Sequence, residues 1–196
     1  LLSLKGKPPT DPLDQSYLDK IDKHGHAVMS VADRVDEPTG EPNFSYSTGA
    51  YESYGAPELI IFGLSSKMQH WMINAFYDRL QKGEQFVPGA EVSGFLEGYP
   101  VVFVEAGERA ARDYMNFTRW YYEGEPFPVW QLVWPGVNSR KFPWDADCPQ
   151  DVIIAQPDMS VVGFASLQRP SEYLFAVCPC PGDQIDAATV NFVLGH

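Results

Sequence analysis

The residues best suited to chemistry fall in two groups. Tyr46, Thr48 and Glu58 offer a phenol, a hydroxyl and a carboxyl, whereas Gln131, Trp134, Arg140 and Trp144 offer an amide, indoles and a guanidinium. A glutamate set against apolar walls holds its proton more tightly than in water and can exchange it near neutral pH. Glu58 and Tyr46 are therefore the candidate catalytic pair, with Thr48 a candidate ligand contact. Indole rings and a guanidinium can sandwich a planar or sugar-like molecule while the Gln131 amide reads its polar edge. Gln131, Trp134, Arg140 and Trp144, with Trp130 beside them, are thus candidate binding residues. Each also has a plainer reading. Tyr46 can pack its ring and tie its hydroxyl to a carbonyl, Glu58 can satisfy loop amides, and the tryptophans can form a hydrophobic plug or a subunit interface.

Other constellations carry less. His24 and His26 with Cys148, Cys178 and Cys180 do not fit a zinc site, because Cys178 and Cys180 are separated by one residue where thiolate pairs use two to four. The same spacing argues against a redox pair. The 49–55 segment lacks the lysine and hydroxyl of a phosphate-cradling loop, and Ser45, Ser47 and Ser53 lack the glycine frame of a nucleophile elbow. His70, which a serine triad would need, falls beside Trp71 in a helical pattern and reads as helix surface. No metal and no cofactor are expected.

The elements that must position the first group lie in residues 42–64, PNFSYSTGAYESYGAPELIIFGL. Phe44, Tyr46 and Thr48 alternate with Ser45 and Ser47, the period of a strand with one apolar and one wetter face. Residues 50–56 read as a turn-rich loop, Pro57 cannot join a ladder, and the apolar run of residues 59–62 reads as a strand covered on both sides. The loop should bring Tyr46, Thr48 and Glu58 to one end of a hairpin. The expected pocket lies between that end and the Trp-rich segment.

Around this hairpin, a short helix is expected from Asp14 to Gly25, then a strand over residues 26–32. The strongest helix pattern opens with a Ser66/Gln69 capping pair. It presents Met68, Trp71, Met72, Ala75, Phe76 and Leu80 to the sheet before Gly83 stops it. A second helix is expected over residues 108–123, with Ala110, Tyr114, Phe117 and Tyr121 inward and Arg109, Arg112 and Arg119 on another face. Further strands are expected at 99–105, 129–134, 152–155, 161–165 and 173–177. Residues 85–98 read as a strand pair or an irregular crossing. Strands outnumber helices and follow one another through turns. The fold class is therefore α+β, a mostly antiparallel sheet with two main helices packed on it in a single domain. That domain should span residues 14–165, between a flexible lead-in at 1–13 and a C-terminal extension at 166–196.

The 196 residues, 44% of them hydrophobic, can bury a core, and a net charge of −12 disfavours nucleic acid. No apolar run approaches the roughly 20 residues that cross a bilayer, so no membrane partner is expected. Three cysteines, an odd number, and an opening without a signal-peptide pattern point to a reducing cytoplasm; the chain begins at Leu1, so its start is expected to be truncated or to carry added residues. The expected partners are a small-molecule ligand or, through the Trp-rich segment, another protein or a second copy of the chain.

The runs FSYSTGAYESYGAPELIIFGL, FVPG at residues 86–89, and FPVWQLVWP with RKFPW and QP over residues 127–157 resemble a bacterial family of domains of unknown function, number four-two-six-two. The likeness covers roughly residues 21–157, and Gln-Leu-Val-Trp-Pro is its most specific part. It implies no activity. It marks Tyr46, Thr48, Gly49, Pro57, Glu58, Gly63, Gln131, Trp134, Pro135, Phe142, Pro143 and Trp144. Where the family commonly shows Gly-Trp, His-Pro-Glu and Trp-Pro-Asp, this chain has Gly25-His26, Ala56-Pro57-Glu58 and Trp134-Pro135-Gly136. Any chemistry that used the family's histidine or aspartate would be missing here.

Overall fold

The computed structural model describes residues 12–32 and 40–168. One six-stranded sheet organises them, in the order β1-β2-β3-β6-β5-β4. Strands β1 (Ala27–Val31), β2 (Phe44–Thr48) and β3 (Glu58–Phe62) form one antiparallel meander. Strands β4 (Glu91–Leu96), β5 (Tyr99–Ala106) and β6 (Val129–Val133) form the other. They join through a single parallel pair, β3 with β6, in which Glu58 stands opposite Val129 and Ile61 opposite Leu132. β3 is buried along its whole length, as its continuous apolar run requires.

One face of the sheet is covered by α3 (Ser66–Gln81), whose Met72, Ile73, Phe76 and Tyr77 pack on Leu59, Ile61, Phe103 and Leu132. The other face carries α1 (Pro12–His24) and the pair α4 (Glu108–Tyr114) and α5 (Asn116–Tyr121), which bring Ile21, Ala110 and Met115 against Phe44, Tyr46, Ile60 and Phe62. This is the α+β single domain that successive strand patterns joined by turns imply.

Several local expectations are corrected. α3 is capped by Ser65, whose Oγ accepts from Met68 N at 3.3 Å, while Gln69 is buried and bonds Ser45 and Asn43. Its inward stripe is rotated accordingly, leaving Met68 and Trp71 exposed. The helical stretch after β5 breaks at Met115 (φ −113°, ψ 53°) into α4 and α5. Residues within the expected loop after β2 form a short helix, α2 (Ala50–Tyr54), and the expected strand at 152–155 is helix α6 (Gln150–Ala155). The expected strand at 161–165 is replaced by a bridge between Ala106 and Ser160 and a 3-10 turn, Phe164–Gln168. Pro12 and Leu13, expected in the lead-in, open α1. Residues 1–11, the expected strand at 173–177, Cys178, Cys180 and most of the expected extension lie outside the described residues.

Candidate functional site

Glu58 opens β3 at the end where the two parallel strands begin, and its amide donates to Pro128 O at 2.9 Å. Its side chain is fully buried. Oε1 accepts from Gly49 N at 2.9 Å, Tyr51 N at 3.2 Å and the Tyr122 hydroxyl at 2.5 Å. Oε2 lies 2.5 Å from Ser47 Oγ. Ser47 Oγ in turn accepts from Leu59 N at 2.9 Å and lies 2.7 Å from the Tyr77 hydroxyl, which donates to Pro57 O at 2.9 Å. Ser47 and Tyr77 are fully buried, whereas Tyr122 is half-buried.

The local sequence explains this convergence. Pro57 cannot pair, so the strand starts one residue later, with Glu58 at its head. Gly49 sits at φ 99°, where a side chain is strained, and a Cβ there would come within 2.7 Å of Ile21 Cγ2. Its amide and that of Tyr51, at the start of α2, therefore turn onto the carboxyl. Burial raises the Glu58 pKa, and that cost to the charged form outweighs the opposing donors Ser47, Tyr122, Tyr51 and Gly49. The same burial, with Glu58 alongside, raises the Tyr77 and Tyr122 phenols well above the usual range.

The other expected site residues lie elsewhere. Tyr46 points to the opposite side of β2, its hydroxyl engaged by the Phe117 backbone, and burial pushes its pKa up to about 12. Thr48 Oγ1 lies 2.6 Å from Thr118 Oγ1, with both threonines fully buried. Gln131 is fully buried and staples a crossing segment. Its Nε2 donates to Pro157 O at 2.9 Å and its Oε1 accepts from Met159 N at 3.1 Å. Trp134 lies past the far end of β6, its Nε1 donating to Phe62 O at 2.8 Å. Gln156 brackets the Trp134 backbone, accepting from its N and donating to its O, each at 2.9 Å. Trp144 stacks on Phe142 at 4.8 Å and meets Phe164 edge-on, and Arg140 lies over Tyr99 at 5.3 Å. Glu58 and Trp134 thus sit at opposite ends of the parallel pair, about 15 Å apart by strand rise. Among the described residues the hairpin end and the Trp-rich segment do not meet around one hollow. Nor do Trp130 and Trp134 make a flat exposed patch, since Trp130 packs on Phe76 and Phe103 and Trp134 is buried.

Clefts among the described residues lie beside the sheet. One, of about 400 Å³, lies between α4, α5 and the approach to β6, where Arg112, Arg119, Glu108, Glu125, Phe127 and Ala111 are among its walls. Among the described residues Arg119 has no carboxylate within ion-pair distance, and its guanidinium reaches only the Arg112 carbonyl at 3.5 Å. Arg112 is held by Asp113 at 2.8 Å. Phe127 backs this cleft and packs on the Tyr122 ring at 5.0 Å, so the cleft wall and the Glu58 cluster share an aromatic partition. The second cleft, of about 560 Å³, runs between α1 and α3 along the β1 edge, past His24, His26, His70 and Asp78. There His26 lies 2.9 Å from Asn74 Oδ1 and 3.3 Å from the Tyr54 hydroxyl, and burial lowers its pKa. Among the described residues no three potential ligands gather as a metal site would require, and no helix is long and apolar enough to cross a membrane.

Ser47, Tyr77 and Tyr122 were absent from the sequence-based candidates. The signal for Ser47 was its place two residues after Ser45 on a strand facing α3. A strand face carrying two serines under a helix carrying Gln69 and Tyr77 is a buried polar layer, not a wet one.

The family model described as "Domain of unknown function (DUF4262)" matches residues 20–149. Neither a curated protein nor a solved structure matches the chain.

Proposed function

The chain belongs to the DUF4262 family, whose function is unknown, and we propose from its own geometry that it binds a small monocarboxylate with an apolar body in the cleft between α4, α5 and the approach to β6. The observation that carries this reading is Arg119, a guanidinium without a carboxylate partner among the described residues, at the wall of a pocket-sized cleft backed by Phe127. Guanidinium N–H groups grip a carboxylate in pairs, and about 400 Å³ is within the volume range of small-molecule sites. The aromatic wall suits the body of such a ligand. Glu108 and Glu125 on the same walls set the charge limit. They repel polyphosphates and dianions, in keeping with the chain's net charge of −12.

The test is a thermal-shift and ligand-observed NMR panel of aromatic and branched monocarboxylates, their amides, and nucleotides, run on the wild type and Arg119→Gln. Acids should raise the melting temperature of the wild type where amides and nucleotides do not, and Arg119→Gln should weaken binding at least about tenfold without changing the unliganded melting temperature, since one charge-assisted bidentate contact accounts for that much. Equal responses to acid and amide, or no response to any acid, would reject the reading.

A further inference from the structure

Proton counting at the head of β3 leads to a second conclusion, independent of the cleft. The chain Glu58 Oε2, Ser47 Oγ, Tyr77 hydroxyl, Pro57 O contains three successive contacts, at 2.5, 2.7 and 2.9 Å. Each is short enough to need a hydrogen between its oxygens. Ser47 and Tyr77 supply two hydrogens. Pro57 O supplies none. If Glu58 were ionised, Ser47 would spend its hydrogen on the carboxylate and the one hydrogen of Tyr77 could fill either its 2.7 Å contact with Ser47 or its 2.9 Å contact with Pro57 O, leaving the other pair of oxygens with nothing between them. With a proton on Oε2 every contact is filled in one consistent direction. Glu58 donates to Ser47, Ser47 to Tyr77, and Tyr77 to Pro57, while the second lone pair of Ser47 takes Leu59 N–H. On the other side Oε1, the carbonyl oxygen of the acid, accepts the Gly49, Tyr51 and Tyr122 donors.

We infer that Glu58 is stored in the folded protein as a neutral carboxylic acid, a buried pH-sensitive element whose hydrogen lies on the Ser47 side while its carbonyl oxygen takes the Tyr122 hydroxyl. The surroundings agree. The charged or titratable groups facing Glu58 are Tyr77 from α3, Tyr121 and Tyr122 at the end of α5, and Tyr54 from α2, with Glu52 behind Tyr121. None of these supplies a positive charge to hold a carboxylate ionised, and burial itself favours the neutral form.

The measurement is the side-chain carboxyl carbon of Glu58 in protein labelled at glutamate with carbon-13, followed by NMR through the pH range and assigned by its absence in Glu58→Gln. One glutamate signal should keep the chemical shift of a neutral acid at pH 7 while the exposed glutamates titrate in the ordinary range. A Glu58 signal at the carboxylate position at pH 7 overturns the inference. A second readout uses stability. With a raised folded value, the wild type holds a proton that its unfolded chain loses, so wild-type stability falls as pH climbs from the ordinary glutamate value toward the folded one. Glu58→Gln, which keeps a donor toward Ser47, has no such slope. Its melting temperature relative to wild type should rise with pH. A relative melting temperature that falls with pH shows that Glu58 is ionised, and so does a variant that folds only in acid. If Glu58→Gln does not fold at any pH, the infrared carbonyl band of a protonated carboxyl at pH 7 in wild type decides the matter, its absence counting against the proposal.

Discussion

The two ends of the β3/β6 pair solve one problem with different chemistry. At the far end, where Trp134 leaves the sheet, the backbone loses its ladder partner and Gln156 replaces it. One amide oxygen takes the Trp134 N–H and the amide nitrogen gives to its C=O, each at 2.9 Å, as a neighbouring strand would. Gln131 does the same for Pro157 and Met159. At the near end the group is a carboxyl, with the Gly49 and Tyr51 amides on one oxygen and Ser47 on the other. A glutamine amide satisfies backbone groups with no pH dependence at all. Choosing an acid for a comparable task in a fully buried position adds a titratable proton whose release requires either hydration or a cation. The contrast separates an end whose polar group cannot titrate from an end whose polar group can.

The largest expected effect is at the far end. Gln156→Leu keeps the volume but leaves the buried Trp134 N–H and C=O without partners, a loss of about 2–6 kcal/mol at roughly 1–3 per orphaned group. The cost should be the same at every pH where the protein stays folded. Denaturant midpoints measured through the acid and alkaline ranges check this. A cost that varied with pH would mean that the amide end is coupled to the acid end and would undo the separation.

Ser47→Ala is next. It removes the atom that sits between Glu58, Tyr77 and Leu59, so the acid hydrogen and one buried N–H lose their acceptor, for about 1–3 kcal/mol. Chemical denaturation gives the number. A change within about 0.5 kcal/mol, the scale of an inert surface substitution, would make the hydroxyl chain a coincidence of packing.

Much of the near end was legible in the chain, and little of the far end. The hairpin follows from the alternation of Phe44, Tyr46 and Thr48 and from the break at Pro57, and that break alone puts Glu58 at a strand head. What local pattern cannot give is the partner across the parallel pair. β3 and β6 are brought side by side by α3, β4, β5 and the broken α4/α5 helix, and nothing in Val129, Trp130 or Gln131 announces which neighbour they will find. The pattern therefore suggests a pocket shared by the tryptophans and the hairpin end, whereas Trp134 is buried at the opposite end of the parallel pair. Trp134 fits against Gly63, where φ is 75° and a Cβ would stand 3.0 Å from the indole and 2.6 Å from Ala155 O. A glycine, an indole and a glutamine in that arrangement are packing. The three hydroxyl groups around Glu58 were hidden for a different reason, since each comes from a different element and only the tertiary fold assembles them.

The smallest effect is also the one that cuts most finely between the two ends. Tyr122→Phe removes a single donor to Glu58 Oε1 and leaves the ring against Phe127 and Tyr51. A hydrogen bond to a neutral acceptor is worth about 1 kcal/mol, and one to a charged acceptor about 1.5–3. If Glu58 is a neutral acid at pH 7, Tyr122→Phe should therefore cost about 1 kcal/mol there. The cost should then increase as pH rises through the folded value and the carboxylate begins to draw on that donor. The sign follows from linkage. Losing the Tyr122 hydroxyl removes an interaction that favours the charged form, so the folded value moves further up and the alkaline fall in stability deepens relative to wild type. Denaturation of wild type and Tyr122→Phe at matched pH values measures both the cost and its slope. A flat cost of about 1 kcal/mol at every pH would make Tyr122 at the acid end behave as Gln156 does at the amide end, and the distinction drawn between them would lose its basis.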